Sequence, residues 1–251
     1  MSIGSKLLQG KRFVREIVTH ISSPFLSIPK SRFIILTPGR CGSTLLARLL
    51  SQNPEVFCYN KILRFKRLFP AKYSLRKTLT WSENISSVGF KLKHYQIQHQ
   101  KRLNDEKKFM NIMKNNEFRF VYLYRNSVIR QSISYHVAKK RNKFQKKSDE
   151  ELPSVRINPR KVIDTAKTFE NGKKIYKDLL HGTEYIEIEY EKDLMDQNKH
   201  QKTCNNIFDF LGVNICNVEA TTKKTTPNPK KSILNFNDVK ECAENNGYYL
   251  E

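Results

Sequence analysis

Two short stretches hold the residues whose types and spacing could do chemistry. The first is Thr37-Pro38-Gly39-Arg40-Cys41-Gly42-Ser43-Thr44-Leu45-Leu46. It follows the continuously apolar run Phe33–Thr37 and opens a stretch of helical spacing. A glycine-containing turn from a buried strand into a helix aims several backbone N–H groups at one point. The helix N-terminus adds roughly half a positive charge there. Gly39 and Gly42 allow close approach to an anion, and Ser43 and Thr44 put hydroxyls in the first turn. The nucleoside triphosphatase loop, G-x-x-x-x-G-K-[ST], does not fit. Ser43 follows Gly42 directly, no lysine precedes it, and the basic residue stands earlier, at Arg40. That mismatch argues against hydrolysis of ATP or GTP. An ordinary strand-to-helix turn has a similar composition, so the loop alone leaves anion binding open.

The second stretch begins at Tyr124-Arg125-Asn126-Ser127, where the aromatic and β-branched run Phe118–Tyr124 gives way to helical spacing. At 100° per residue, Ser127, Arg130, Gln131 and Ser134 share one face, and Ile129, Ile133, His136 and Val137 roughly the other. The polar face can present Arg125 and Ser134 to a second phosphate, Arg as a bidentate fork and Ser as a hydroxyl. An amphipathic helix with a solvated polar face is the competing reading.

Elements must position these groups. Strand patterns lie at 33–37, 87–93, 118–124 and 185–190, and helical patterns at 43–52, 127–141, 160–180 and 201–211. Their alternation predicts an α/β fold with an open, mainly parallel sheet flanked by helices. One domain, 31–251, follows a basic extension, 1–30. Within 5–22 the residues Leu7, Phe13, Val14, Ile17, Val18 and Ile21 recur near helical spacing among basic side chains. The pattern fits a helix packed on its own domain and also one lying on a membrane surface. Pro24 and Pro29 end it. The charged or proline-bearing stretches 139–153 and 221–232 read as loops.

The 251 residues carry 46 Lys and Arg against 24 Asp and Glu, a formal net charge of +22 that calls for anionic partners. Cys41, Cys58, Cys204, Cys216 and Cys242 include no C-x-x-C pair and no Cys/His cluster, so neither a metal site nor a disulfide framework is expected. No apolar run reaches membrane-spanning length and no secretory signal pattern is visible. The expectation is a cytoplasmic protein, at most peripheral to a membrane.

Taken together, TPGRCGSTLLARLLSQNPEV and YLYRNSVIRQSISY resemble the two cofactor motifs of the sulfotransferases that use PAPS (3′-phosphoadenosine 5′-phosphosulfate). The loop is most similar to the R-[SC]-G-[ST]-[ST]-L-L form of the carbohydrate and bacterial branches. VGFKLKHYQI resembles the strand between the motifs, and IEIEYEKDLMDQ with IFDFLGV resembles the late strand, Y-E-x-L turn and following helix. The resemblance covers about residues 31–250. It implies a P-loop-like sulfotransferase fold and transfer of a sulfuryl group to an acceptor hydroxyl, with PAP released and no metal.

By position, the resemblance assigns Gly42, Ser43 and Thr44, with the backbone of Gly39 and Cys41, to the 5′-phosphosulfate, and Arg40 to the transferring sulfuryl group. Arg125 and Ser134 take the 3′-phosphate; the bacterial spacing favours Ser134 over Ser132. A thiol at a helix N-terminus can be acidic, but Cys41 has the simpler role of small filler. The base is less directly assigned. Where bacterial members carry Gly-Glu, this chain has Asn60-Lys61, and Lys61 suits an acidic acceptor instead. His94 resembles the base histidine of the cytosolic branch and is the catalytic candidate beside Arg40, with Glu55 and Glu83 as lesser ones. The alternative to catalysis is a basic binding protein for anionic glycan or nucleic acid. No zinc finger, helix-turn-helix or RNA-binding aromatic signature supports the nucleic-acid version.

Overall fold

The computed structural model describes residues 14, 16–19, 21, 26–60, 62–80, 82–100, 105–144, 152–220 and 229–250. Its centre is a five-stranded, all-parallel sheet of β1 (Ser31–Leu36), β2 (Val56–Tyr59), β3 (Ser87–Leu92), β4 (Phe118–Tyr124) and β5 (Tyr185–Glu189), in the order β2-β3-β1-β4-β5. β1 is central and buried along its whole length, as the apolar run Phe33–Leu36 requires; Ser31 and Arg32 at its start are buried too. Its side chains alternate between two cores. Phe33 and Ile35 pack with α1 (Ser43–Leu50) on one face, while Ile34 and Leu36 face the other. β4 repeats the division, with Val121 and Leu123 against Phe120 and Tyr122.

The second face is covered by α2 (Pro70–Lys77), α4 (Glu106–Lys114) and α6 (Pro159–Leu180). The short α3 (His94–Gln98) follows β3, and α5 (Val128–Lys140) follows β4. After β5 come a π-helical turn (Tyr190–Leu194), a 3₁₀ turn (Gln197–Lys199) and α7 (His200–Leu211), whose Cys204, Ile207 and Phe208 join the first core. The chain then forms α8 (Pro229–Ser232) and α9 (Phe236–Glu244), the latter packed with α5 and α6 in a third cluster.

The four strands and four long helices expected from the sequence are present, and the sheet gains a fifth strand, β2. Val56–Tyr59 spans four residues and gives too short an alternation to register as a pattern. The stretch 87–93 reads as half-buried, yet every residue of β3 is buried. Its polar positions are absorbed by specific contacts: Ser87 accepts from Ser31 at 2.8 Å, and Lys91 donates to Thr44 Oγ1 at 2.9 Å. The polar face of α5 is likewise largely buried, with Gln131 fully enclosed and Ser134 buried; on the other face Ser132 donates to the Val162 carbonyl at 2.6 Å. Of the stretches expected to be loops, 145–151 and 221–228 lie outside the described residues, while 229–232 forms α8.

The β order creates a switch point beside β1. The chain leaves β1 toward β2 on one side and leaves β4 toward β5 on the other. In open parallel sheets the carboxyl ends of the strands at such a point form a crevice that binds ligands. Both sequence motifs follow these two strand ends.

Gly89 of β3 pairs with Phe33 of β1, and a Cβ at Gly89 would stand 2.5 Å from the Phe33 ring and from its carbonyl oxygen. Backbone cannot yield there without parting β1 from β3. Gly89→Ala is expected to lower the free energy of unfolding by about 3 kcal/mol or more, read from urea unfolding. A loss below ~1 kcal/mol would show that the strand pair is looser than its register implies.

Candidate active site

The loop between β1 and α1 is built by its backbone. Gly39, Arg40 and Gly42 have φ of 100°, 58° and 78°, so three of four consecutive residues lie in the left-handed region. Such turns gather successive N–H groups into a concave anion site. Arg40 reaches that region without glycine's freedom, at a cost of roughly 1–3 kcal/mol. α1 begins directly at Ser43 with Gly42 as its N-cap, with no side-chain cap and no acidic residue in its first turn. The partial positive end of the helix therefore faces the loop without a carboxylate of its own.

Surrounding groups hold this backbone. Thr37 N donates to the Leu92 carbonyl at 3.1 Å, the Tyr176 hydroxyl donates to Thr37 O at 2.7 Å, and Gly39 N donates to Thr37 Oγ1 at 3.3 Å. From α5, Gln131 Nε2 donates to Gly39 O at 2.6 Å and to Cys41 Sγ at 3.2 Å. Cys41 is fully buried and its S–H donates to Gly39 O at 3.3 Å. Burial pushes its pKa up to about 12 despite the helix terminus, so at neutral pH it is a thiol that fills space, not an acidic nucleophile.

The two motifs are in direct contact. Arg40 Nε and Nη2 donate to Ser134 Oγ at 3.2 and 3.0 Å, and Nη1 donates to the Phe144 carbonyl at 2.9 Å. Ser134 thus turns toward the loop while Ser132 turns toward α6. Arg125, at the end of β4, donates from Nε to Glu191 Oε1 at 2.9 Å and lies over the Tyr190 ring at 5.0 Å. Glu191 also accepts from Asn126 N at 2.9 Å. Burial first, and then the nearby charge of Arg125, hold the Arg40 guanidinium below its ordinary pKa.

Several residues here carried no role in the sequence reading. Lys93, just past β3, reaches the loop: a Cβ at Gly39 would stand 2.8 Å from its Nζ. Tyr190 packs on Gly42, where a Cβ would stand 2.9 Å from two ring carbons. Lys173 of α6 donates to the Asn126 carbonyl at 2.9 Å, and burial lowers its pKa. Two signals were available. Lys91 and Lys93 put two cations on the polar side of a strand that ends beside the loop, and Tyr190-Glu191 heads the Y-E-x-L turn.

The base candidates separate by position. Glu55 precedes β2 and accepts from Asn214 N and Nδ2 at 2.8 and 3.0 Å; Glu83 is exposed in the turn before β3. Both belong to the amino ends of parallel strands, opposite the loop, so neither can serve it. His94 opens α3 at the carboxyl end of β3; its side chain, like Lys61, lies outside the described residues.

The strain at Arg40 is measurable. Arg40→Ala and Arg40→Gly both remove the guanidinium, but only glycine relieves the left-handed penalty of ~1–2 kcal/mol, against an added unfolded-state entropy of ~0.5–1 kcal/mol. Arg40→Gly is expected to be more stable than Arg40→Ala by about 0.5–1 kcal/mol in urea unfolding. Equal or reversed stabilities would remove stored strain from the loop.

A crystal structure of a sulfotransferase from Alicyclobacillus acidocaldarius aligns with a TM-score of 0.50 at 15% identity, covering 90% of this chain and 98% of that one. Mouse sulfotransferase SULT7A1, solved as a complex with PAP, aligns with a TM-score of 0.45 at 11% identity, covering 78% of this chain and 64% of that one. No curated protein matches the sequence. The sulfotransferase domain family matches residues 30–246, a span that takes in the loop, the second motif and all five strands, and the chain belongs to that family.

Proposed function

We propose that this protein transfers a sulfuryl group from PAPS to an acceptor hydroxyl, probed first among carbohydrates, and releases PAP. The observation that carries this reading is the meeting of a left-handed phosphate loop with Arg40, Arg125 and Ser134 from two separate motifs. The cradle fits an anion: glycines stand where a Cβ would collide, and the nearest titratable side chains include Lys93 and two arginines. Carbohydrate is favoured by the R-C-G-S-T-L-L form of the loop. The PAP in the mouse neighbour accords with the same donor.

When bound, PAPS supplies an activated sulfuryl group whose bond to the 5′-phosphate breaks as an acceptor oxygen attacks in line. The loop N–H groups and Arg40 hold the oxygens that gain negative charge, an electrostatic and positional form of catalysis. Arg125 and Ser134 hold the 3′-phosphate, whose charge does not change during reaction. Glu191 orients Arg125 and also sets a carboxylate near that phosphate. His94 accepts the proton of the acceptor hydroxyl. The deciding experiment is turnover of radiolabelled PAPS across a panel of carbohydrate and small-molecule acceptors. Tight PAP binding with no turnover on any acceptor would favour a non-catalytic binder.

PAP is expected to stabilise the fold by about 2.7 kcal/mol at a hundredfold excess over its dissociation constant. ADP, which lacks the 3′-phosphate, should do far less. Equal thermal shifts from the two would remove the 3′ site.

The two arginines should separate kinetically. Arg40→Ala is expected to lower kcat by roughly 10²–10³, the scale of losing one charge-stabilising donor. Arg125→Ala should act mainly on KM for PAPS, raising it about 10- to 100-fold. Part of that loss comes from the Glu191 carboxylate left facing the phosphate, so adding Glu191→Gln to Arg125→Ala should recover some affinity. Steady-state kinetics with PAPS varied reads all three variants. A pure KM effect at Arg40, or a pure kcat effect at Arg125, would reverse the roles.

A further inference from the structure

The amino-terminal segment sits on the domain with the opposite face from the one its composition suggests. Glu16 is 1% exposed, and its carboxylate accepts from Leu68 N at 3.2 Å and Phe69 N at 3.0 Å. α2 starts at Pro70 with no side-chain cap of its own, so Glu16 satisfies the donors entering that helix and complements its dipole. The helical residues Val14, Ile17, Val18 and Ile21 are 58%, 50%, 56% and 67% exposed. At 100° per residue these four fall within one stripe, and Glu16 lies on the opposite side. The segment is therefore held on the domain through the buried acid, and the described part of its apolar stripe faces outward.

The surface beside it has matching chemistry. The strand-to-helix connection that receives Glu16 also exposes Phe65 and Phe69. Arg64, Lys66 and Lys72 are exposed on the same stretch. Residues 5–22 contain Lys6, Lys11, Arg12 and Arg15 against Glu16 alone, and Glu16 is engaged with α2. Exposed aliphatic and aromatic side chains together with exposed cations are the composition of a surface that lies in a lipid headgroup region. Among the described residues no helix is long and apolar enough to cross a membrane.

We propose that this face docks the protein peripherally on an anionic lipid bilayer. Val14, Ile17, Val18 and Ile21 enter the boundary between headgroups and acyl chains, and the exposed Arg64, Lys66 and Lys72 meet lipid phosphate. Charge complementarity selects this occupant over a second copy of the chain, because pairing two such faces would oppose like charges on a protein of net charge +22.

The test is flotation of the full chain with vesicles of mixed phosphatidylglycerol and phosphatidylcholine, against pure phosphatidylcholine. The protein is expected to float with the anionic vesicles. Ile17→Asn/Ile21→Asn changes no charge and touches exposed positions only, so its PAP thermal shift should match the parent. Its partitioning should fall about tenfold or more as two inserted side chains are lost. Recovery in the soluble fraction with anionic vesicles would overturn the proposal. So would undiminished flotation of the asparagine variant, which marks adsorption by charge alone. A dimer that the asparagine variant converts to monomer, without vesicle binding, would assign the stripe to self-association instead.

Discussion

Everything in the site depends on a backbone that is expensive to hold. Left-handed conformations at Gly39, Arg40 and Gly42 point the loop's N–H groups inward, and a chain in isolation would not keep them there. The surrounding groups over-determine the loop. Gln131 from α5 clamps Gly39 and Cys41, Tyr176 from α6 fixes Thr37, and Tyr190 from the turn after β5 closes over Gly42. Three elements distant in sequence thus spend polar and aromatic groups on four loop residues. The two bonds satisfy the enclosed Gln131 at Nε2, which would otherwise be a costly donor to bury.

The same constraint explains why the second motif is more than a second binding site. Through Gln131 and Ser134, α5 fixes both the backbone of the phosphate loop and its arginine. One helix carries the support for both ends of the proposed donor. A displacement of α5 would alter loop conformation and arginine position together, so effects of substitutions there should not be additive.

The order of elements was legible because its signal is local. The run FIILT, the aromatic strand 118–124 and the leucines of α1 each have one strong periodicity. Both motifs could be named because their residues are contiguous. The supporting groups could not. Lys93 and Tyr190 are brought to the loop, and Glu191 and Lys173 to the end of β4, by the packing of β3, β5 and α6 around it, and no spacing within the chain encodes that. Gln131 was assigned to a polar face, and helical periodicity cannot say whether such a face meets solvent or a loop backbone. The orientation of the helical residues at 14–21 has the same origin. Hydrophobic spacing marks a stripe, but the direction the stripe faces was settled by one glutamate finding uncapped amides at the start of α2.

Charge gives the last link between structure and ligand class. Burial disfavours the charge of Arg40, and the nearby Arg125 guanidinium adds to that penalty. Lys173 is desolvated nearby, and Lys93 lies against Gly39. The internal counter-charge is modest: Glu191 binds Arg125, and Glu189 is engaged by Lys192 at 2.8 Å and by the Tyr124 hydroxyl at 3.2 Å. Glu191 neutralises one arginine, while Ser134 and Phe144 offer Arg40 a hydroxyl and a carbonyl. A neutral ligand would desolvate these cations further and be resisted. A ligand with negative charge at two separated points relieves Arg40 and competes with Glu191 for Arg125. The electrostatics of the crevice therefore favour a dianionic or more highly charged ligand over an uncharged one.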